Sequence, residues 1–514
     1  MTNPHAAIRL LITYAICIPL AITVGYLLTN PLDYGTIGFL GLILALIISP
    51  VFIKWHYPIM IFGIGCPMSC FFLVGNPPLW QVVALLSFAI AVVERAVSPN
   101  RRFISPPSMV WPLVFLTALV ILTAKLTGGI GLHSVGGGGG GGKKYISIFC
   151  GIAMFFAISS RTIPKEQRRL YIALFFLAGT PSFISDLFPY LPSPLNYINL
   201  LFPPSVTELG TMGTRVIRLG ALAGTAGVIA NFMLARFGLR GILDATRPWR
   251  APFFVLLMVV TTLGGFRSSL ITYVLMVGIL FFMEGLHRTR LLLVVLLGGL
   301  LAAGLVVPFS KQLPLSMQRT MSFLPLPWDT EVKLQANASS EWRFRIWHDV
   351  WPQVPQYLLL GKGYSLTAED FSMMGSGEFA NTGAAKLDAS QEALAISGDY
   401  HSGPLSTLVP FGIWGAIGIV WLQLAGLRIV LRNYRYGDPA LKTVNAFLLV
   451  YFCIRVFGFY FIFGAFSNDV GEFAKTVAFS AALNWGVAAP APAPVALPRI
   501  KPLPAGAVAQ GVGG

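Results

Sequence analysis

The sequence has few charged residues. Only 11% of its 514 residues are Asp, Glu, Lys or Arg, whereas 55% are hydrophobic. The hydrophobic residues come in repeated blocks, each long enough to cross about 30 Å of hydrocarbon, which excludes a soluble protein. We therefore predict an all-α, polytopic integral membrane protein with about 12–14 transmembrane helices.

Acidic residues are the scarcer sign of charge, with 20 Asp and Glu against 36 Lys and Arg and a formal net charge of +16. In a soluble protein this excess would suggest nucleic acid. Here the basic residues lie mostly in short loops between apolar blocks, so we expect membrane lipids and no nucleic acid as partners. No Asp or Glu cluster has metal-ligand spacing, and we expect neither a metal site nor a cofactor.

The apolar blocks predict the transmembrane helices and the organisation of the chain. The expected spans are 8–28, 36–53, 57–74, 79–95, 109–127, 145–160, 168–183, 216–235, 250–265, 268–286, 290–309, 405–427, 443–464 and 471–489. The expected regions are 1–309 with the first eleven spans, 310–404 as a large outer loop with short helices, 405–489 with the last spans, and 490–514 as a disordered Ala/Pro-rich tail.

Alternate loops are rich in Lys and Arg, which places them and both termini on the cytoplasmic side. The two longest connections, about residues 184–215 and 310–404, then lie on the outer side, where we expect the chemistry. A run of seven glycines, residues 136–142, predicts a flexible outer loop. A phosphate-cradling loop is the alternative, but the preceding strand and following Ser or Thr are missing.

His401 is the candidate general base. It stands in GDYHSGPLSTLVPFGIWG, just before a predicted span whose cap and first turn are Gly403 and Pro404. The positive end of that helix favours a neutral imidazole, the form that a base requires. The alternative is an inert amphipathic residue at the membrane interface.

Arginines near the outer ends of spans are the candidate anion-binding residues. Arg267, in GGFRSSL, interrupts a long apolar run, where an unpaired charge is costly; it either binds phosphate or reaches out to the interface. Arg215 and Arg218, about one helical turn apart, could point into one cavity. Arg343 and Arg345 are two apart, so at most one faces a site.

Another arginine, Arg455, lies deep in a predicted span and either serves the site or pairs with a buried acidic group. Several outer arginines and one His suit a diphosphate-containing donor held without a metal ion, because guanidinium groups bind phosphate oxygens in pairs. The His would then activate an acceptor hydroxyl. The residues leave open whether Glu341, Asp349 or Asp399 assists it.

Four segments, in this order, resemble the O-antigen ligase and O-antigen polymerase family of polytopic membrane glycosyltransferases. They are RLGALAG from Arg218, GGFRSSL, the EWRFRIW and PQYLLLGKG stretch from Glu341 to Gly363, and the YHSGPLSTLVPFGIWG block. The resemblance covers about residues 200–430.

The resemblance implies transfer of a glycan from undecaprenyl diphosphate to an acceptor such as lipid A core, inverting and without metal. It places the enzyme in the bacterial inner membrane with its site facing the periplasm. His401 is similar to the family's essential His, Arg218 and Arg267 to its diphosphate-binding arginines, and Arg343 to the first Arg of the loop motif. A polymerase of the same family, a lipid-linked glycan transporter and a non-catalytic scaffold are the alternatives.

Overall fold

The structure is a computed structural model, and it describes residues 4–27, 29, 34–98, 103–128, 141–204, 214–364 and 398–490. Within these ranges the chain is helical and forms no strand. The predicted all-α fold is therefore confirmed.

Seventeen α-helices form in the described ranges, several of them joined by 3₁₀ turns. They are α1 Pro4–Leu27, α2 Tyr34–Gly63, α3 Leu79–Val97, α4 Pro107–Thr127, α5 Gly141–Ile158, α6 Arg168–Leu177, α7 Ile198–Leu201, α8 Gly220–Ile242, α9 Arg250–Thr262, α10 Arg267–Met283, α11 Leu291–Val306, α12 Leu315–Thr320, α13 Thr330–Val350, α14 Val354–Tyr357, α15 Gly403–Tyr436, α16 Lys442–Phe461 and α17 Phe466–Asn484.

Seven helical segments of the described chain are long and apolar enough to cross a membrane, and five shorter apolar helices accompany them. The chain is thus a multi-pass membrane protein, as the hydrophobic blocks indicate. The total of 12–14 spans and the sides of the membrane stay predictions. Helix α17 is in neither group, because Asp469, Glu472 and Lys475 interrupt its apolar sequence.

The core of the bundle includes the packing of α17 against α5 and α6. Gly151 of α5 lies so close to Gly471 of α17 that a Cβ on Gly151 would come within 2.8 Å of the Gly471 Cα. Phe175 of α6 stacks on Phe479 of α17 with ring centroids 3.9 Å apart. Small residues therefore bring two helices together, and stacked rings fill the space beside them.

The structure corrects the predicted spans at 36–53 and 57–74. Helix α2 continues through Lys54, where we expect a loop, and it ends at Gly63. Residues 64–78 then form turns and an isolated bridge between Ser69 and Pro78 instead of a helix. The segment contains Gly and Pro residues, and Gly75 has a φ of 83°, which helices do not accommodate.

The last two residues of the glycine run, which we predict to be part of a flexible loop, belong to a helix. Gly141 and Gly142 are buried in the first turn of α5, whereas residues 136–140 lie outside the described ranges. A Cβ on Gly141 would collide with the carbonyl oxygen of Tyr364. The last glycines of the run therefore permit a close backbone contact with Tyr364 of the large loop. The predicted tail from residue 491 also lies outside the described ranges.

Helix α15 is interrupted at Gly412, where φ is 61°. The turn of residues 358–363 lies against this break. The amides of Lys362 and Gly363 donate to the carbonyl oxygens of Val409 and Pro410 at 2.8 and 2.9 Å. The amide of Ile413 donates to the Leu358 oxygen at 2.7 Å. The turn thus takes over hydrogen bonds that an unbroken helix would make within itself.

Candidate functional site

The turn between α9 and α10 holds two arginines through successive carbonyl groups. The Gly264 oxygen accepts a hydrogen bond from Arg218 Nε at 3.1 Å. The Gly265 oxygen accepts one from Arg319 Nη1. Gly265 has a φ of 67°, a conformation that other residues adopt only at a cost. The two glycines therefore shape a backbone that presents both carbonyls to guanidinium groups.

Arg218 lies in the non-helical segment just before α8, and its guanidinium carbon is 4.3 Å from the centre of the Phe266 ring. The planar group stacks on the ring face and is largely shielded from solvent. Burial, and next to it the charge of Arg319, lowers the pKa of Arg218 to about 9. Arg218 stays cationic near neutral pH.

Arg267 is the first residue of α10 and reaches across to helix α13 of the large loop. Its Nη2 donates to the Ala336 oxygen at 3.0 Å and to Ser340 Oγ at 2.8 Å. The arginine therefore does not extend along the surface to the interface. It joins the end of a membrane helix to the loop helix.

Arg319 and Arg343 complete a group of four guanidiniums. Burial, then the charges of Arg267 and Arg343, lower the pKa of Arg319 to about 10. The pKa of Arg343 is also lowered, by burial and by the charge of Arg267. These mutual effects place Arg218, Arg267, Arg319 and Arg343 close enough to repel one another. We call these four residues the arginine cluster.

The sequence interpretation did not select Arg319. It lies in QRTMS, part of the large polar loop, where a cation needs no special explanation. Burial distinguishes Arg319 from the other described cations of the loop, because the residue is only 8% exposed. That burial becomes visible only once the loop is folded against the turn at Gly265.

No ion pair with a carboxylate is formed by the arginine cluster within the described part of the chain. Arg215 differs, because its side chain is 71% exposed and lies 4.0 Å from Asp329 and 3.8 Å from Glu331. The predicted shared helical face of Arg215 and Arg218 is wrong, since α8 begins only at Gly220. Arg215 therefore lies outside the cluster, at an acidic surface.

Arg343 and Arg345 point to different surroundings, as their spacing on α13 requires. Arg343 is partly buried, and its Nε has no hydrogen-bond partner in the part of the chain that the structure describes, whereas Arg345 is exposed. The structure brings Arg343 into the cluster and leaves Arg345 on the surface of the loop.

Helix α15 begins at Gly403 with Pro404 in its first turn, as predicted, but Ser402, the residue after His401, is the N-cap in place of Gly403. His401 has a φ of 50°, a sparsely populated conformation for a non-glycine residue. Its ring packs edge-on against Trp342 and Phe463, with centroids 5.1 and 4.4 Å away. The side chain is 17% exposed. The imidazole is thus held in a narrow aromatic setting.

Asp399 is the carboxylate beside His401. Its Oδ1 lies 3.6 Å from His401 Nδ1 and accepts a hydrogen bond from the His401 amide at 3.3 Å. Of the other acids that the sequence leaves open, Asp349 faces the exposed His348 at 3.3 Å and Glu341 is exposed. Asp399 alone of these three contacts the histidine in the structure.

Helix α13 connects the arginine cluster with His401. Ala336 and Ser340 accept hydrogen bonds from Arg267, and Arg343 belongs to the cluster. Between them, Trp342 packs on His401. About two turns of one helix thus contact Arg267 and His401 and carry Arg343.

Arg455 is accounted for by a partner within the bundle. Its Nη2 donates to Asp469 Oδ1 at 2.8 Å and lies 4.0 Å from Glu472. This resolves the alternative that the sequence left open in favour of the acidic pair. We assign Arg455 a structural role.

A cavity of about 860 Å³ lies at the far end of α10, away from Arg267. Its lining includes two cations, Arg240 and Lys442, and two carboxylates, Asp244 and Glu284. The charges nearly balance, and Glu284 already accepts from two backbone amides at 2.9 and 2.7 Å. The arginine cluster, with its uncompensated positive charge, is the better anion site.

The central part of the chain is similar to a known protein family. Residues 252–420 match the family model described as O-Antigen ligase. The matched segment contains Arg267, Arg319, Arg343 and His401, and Arg218 precedes it. No curated protein and no solved structure matches the chain.

Proposed function

From the match of residues 252–420 to the O-antigen ligase family, we propose that the chain is a metal-independent, inverting glycosyltransferase. Its donor is a glycan carried on undecaprenyl diphosphate, and its acceptor is a sugar hydroxyl, as in lipid A core. The reaction takes place at the periplasmic face of the bacterial inner membrane. The observation that carries the proposal is the arginine cluster joined to His401 by helix α13.

The diphosphate of the donor binds to the arginine cluster. Arg218 and Arg267 are fixed by backbone and side-chain oxygens on one side, so they do not have to be ordered when the ligand arrives. Cations next to the diphosphate stabilise the charge that grows on it as it leaves. Arg343 contributes from the loop, whereas Arg215 and Arg345 take no part in this proposal.

The histidine removes the proton of the acceptor hydroxyl. The acceptor oxygen forms a bond to the anomeric carbon while the bond from that carbon to the diphosphate breaks. Undecaprenyl diphosphate leaves with the bonding electrons, and the proton passes to His401. Asp399, 3.6 Å from Nδ1, stabilises the imidazolium that results.

Purified protein, a glycan on undecaprenyl diphosphate and candidate acceptors test the proposal directly. Wild type is expected to form product, and His401→Gln and Arg267→Ala are each expected to reduce kcat/KM by about a hundredfold or more. Two exposed residues of α13 provide controls: His348→Gln and Lys333→Gln are expected to keep wild-type rates.

The size of the product separates the related activities. One glycan block on the lipid A core acceptor indicates a ligase, whereas a lengthening chain on the lipid carrier indicates a polymerase. Movement of the lipid across vesicle membranes without any glycan product would favour a transporter. Full activity in both His401→Gln and Arg267→Ala would reject the site.

A further inference from the structure

We propose that Arg319 is a further diphosphate-binding residue and that it lies at the centre of the arginine cluster. The proposal rests on the proposed function for the identity of the ligand. It adds a residue that neither the sequence motifs nor the family match assigns a role.

Arg319 is held in place by the segment around it. It lies near the end of α12, where Thr320 Oγ1 donates to the Thr262 oxygen at 2.7 Å. Gln318 Nε2 donates to the Leu313 oxygen at 2.8 Å, and Gln318 Oε1 accepts from the Asp329 amide at 3.0 Å. Both sides of Arg319 are therefore fixed, and its guanidinium cannot turn out to solvent easily.

Arg319 also has an unused hydrogen-bond donor within the described part of the chain. Nη1 of Arg319 donates to the Gly265 oxygen, but its Nε is buried and has no hydrogen-bond partner among the described residues. A buried N–H group without a partner is costly, and arginine offers five such donors in a planar fork. Arg343 Nε is unsatisfied in the same way. An anion that enters the cluster can accept from both.

Positive charge is concentrated around Arg319. Arg319 is only 8% exposed, and its charge and those of Arg218, Arg267 and Arg343 act on one another. Within the described ranges none of the four is paired with a carboxylate. Such a group of like charges destabilises itself and is relieved when an anion binds.

Arg218 and Arg319 are held by neighbouring backbone groups. Both are held on carbonyl oxygens that follow each other in the chain, those of Gly264 and Gly265. Two guanidinium groups side by side match a ligand with two adjacent phosphates better than a single phosphate. The chemistry recognised is therefore a diphosphate.

The test uses the full-length protein in detergent, with inorganic pyrophosphate as the first probe and the lipid-linked donor as the second. Pyrophosphate is expected to raise the Tm of wild type more than sulfate does at equal ionic strength. In Arg319→Gln the Kd for pyrophosphate and the KM for the donor are expected to rise about tenfold or more. Lys333→Gln is the matched control and is expected to behave like wild type.

A purely structural arginine predicts a different result. If Arg319 served only to hold the Gly265 oxygen, Arg319→Gln would lower the Tm of the ligand-free protein and leave the Kd for pyrophosphate unchanged. We expect the opposite: a ligand-free Tm that is equal or higher, because repulsion with Arg267 and Arg343 is removed, and weaker binding. Arg319→Lys keeps the charge but not the planar guanidinium, and its Kd for pyrophosphate is expected to lie between those of wild type and Arg319→Gln.

The two proposals can fail separately. Wild-type protein that forms no glycan product with any donor, but binds pyrophosphate through Arg319, would overturn the proposed function and leave the anion site. An active wild type whose donor KM and pyrophosphate Kd are the same in Arg319→Gln would overturn the role of Arg319 alone.

Discussion

Trp342 and His401 pack edge to face, with ring centroids 5.1 Å apart. The contact joins the loop helix α13 to the residue just before α15. A second bond reinforces it, because Trp347 Nε1 donates to the Tyr400 oxygen at 2.9 Å. The position of the imidazole thus depends on a helix that also binds the arginine cluster.

Replacing Trp342 is therefore expected to misplace the imidazole. In Trp342→Ala we expect kcat to fall about tenfold or more, because an imidazole displaced by about 1 Å transfers protons poorly, while the KM for the donor changes little. Trp342→Phe, which keeps an aromatic ring, is expected to recover most of the rate. Trp351→Ala changes an exposed tryptophan after the same helix and serves as the control. Equal rates in Trp342→Ala and wild type would show that the ring contact has no role.

Asp399 is expected to act through His401 rather than on the donor. Asp399→Asn keeps the shape and the ability to accept from the His401 amide, but it removes the negative charge 3.6 Å from Nδ1. We expect a fall in kcat of about tenfold to a hundredfold, with the donor KM unchanged. Asp349→Asn, at an exposed carboxylate of α13, is the control. A change confined to KM would contradict a positioning role.

Gly265 is expected to tolerate no side chain. Gly265→Ala places a Cβ 3.0 Å from Arg218 Nε and must adopt a φ of 67°, at a cost of about 1–2 kcal/mol in the free energy of unfolding. Donor KM should rise as Arg218 moves. Gly278→Ala, in the helix α10 that follows this turn, meets no atom of the described residues within 4 Å and is expected to be neutral. Thermal unfolding and kinetics of both variants provide the comparison.

Diphosphate binding is expected to weaken at alkaline pH. The pKa of Arg218, lowered by burial to about 9, is raised again by a bound anion, so affinity is complete below about pH 9 and falls as the pH rises through that value. The loss should not come from unfolding. As the pH rises through about 9, the unfolded chain holds this proton more than the folded chain does, so this group's contribution to stability increases with pH.

The measurement is the Kd for pyrophosphate between about pH 7 and 10, with Tm recorded on the same samples. Arg218→Gln should bind more weakly at every pH and lack the contribution of Arg218 to the alkaline decline. A wild-type Kd that is flat to pH 10 would contradict the prediction.

Arg455 and Asp469 are expected to depend on each other for stability. Asp469→Asn alone removes the carboxylate charge 2.8 Å from Arg455, whose side chain is 37% exposed, and is expected to cost about 1–3 kcal/mol in the free energy of unfolding. In the double variant Arg455→Gln, Asp469→Asn the loss should be smaller than the sum of the single losses. Unfolding of the four proteins in detergent forms the thermodynamic cycle. Strict additivity would mean that the pair contributes nothing.

Most membrane helices could be predicted because hydropathy over about 20 residues is a local property. The predicted spans 250–265 and 268–286 correspond to α9, Arg250–Thr262, and α10, Arg267–Met283. The error at 57–74 has a local cause too. The segment after Gly63 is apolar but contains Gly and Pro, and its turns are held by contacts such as the Ser69 amide to the Leu201 oxygen at 2.7 Å.

The candidate site was predictable where a polar residue interrupts an apolar pattern. Arg267 and His401 stand out in this way, beside GGF and before a span. Arg319 and Asp399 do not, because each lies among other polar residues of a long loop. Their proposed roles depend on contacts with distant segments. Arg319 donates to the Gly265 oxygen, and His401, next to Asp399, packs on Trp342. No local pattern encodes such contacts.

The break at Gly412 divides α15 into a short first part, residues 403–411, and a long second part. The short part follows His401 directly and is fastened to the turn of residues 358–363 by the amides of Lys362 and Gly363. Straightening the helix would therefore require the turn to be released. His401, the proposed base, thus lies beside a short helical block that is hydrogen-bonded to its own loop, and the break at Gly412 separates that block from the long part of α15.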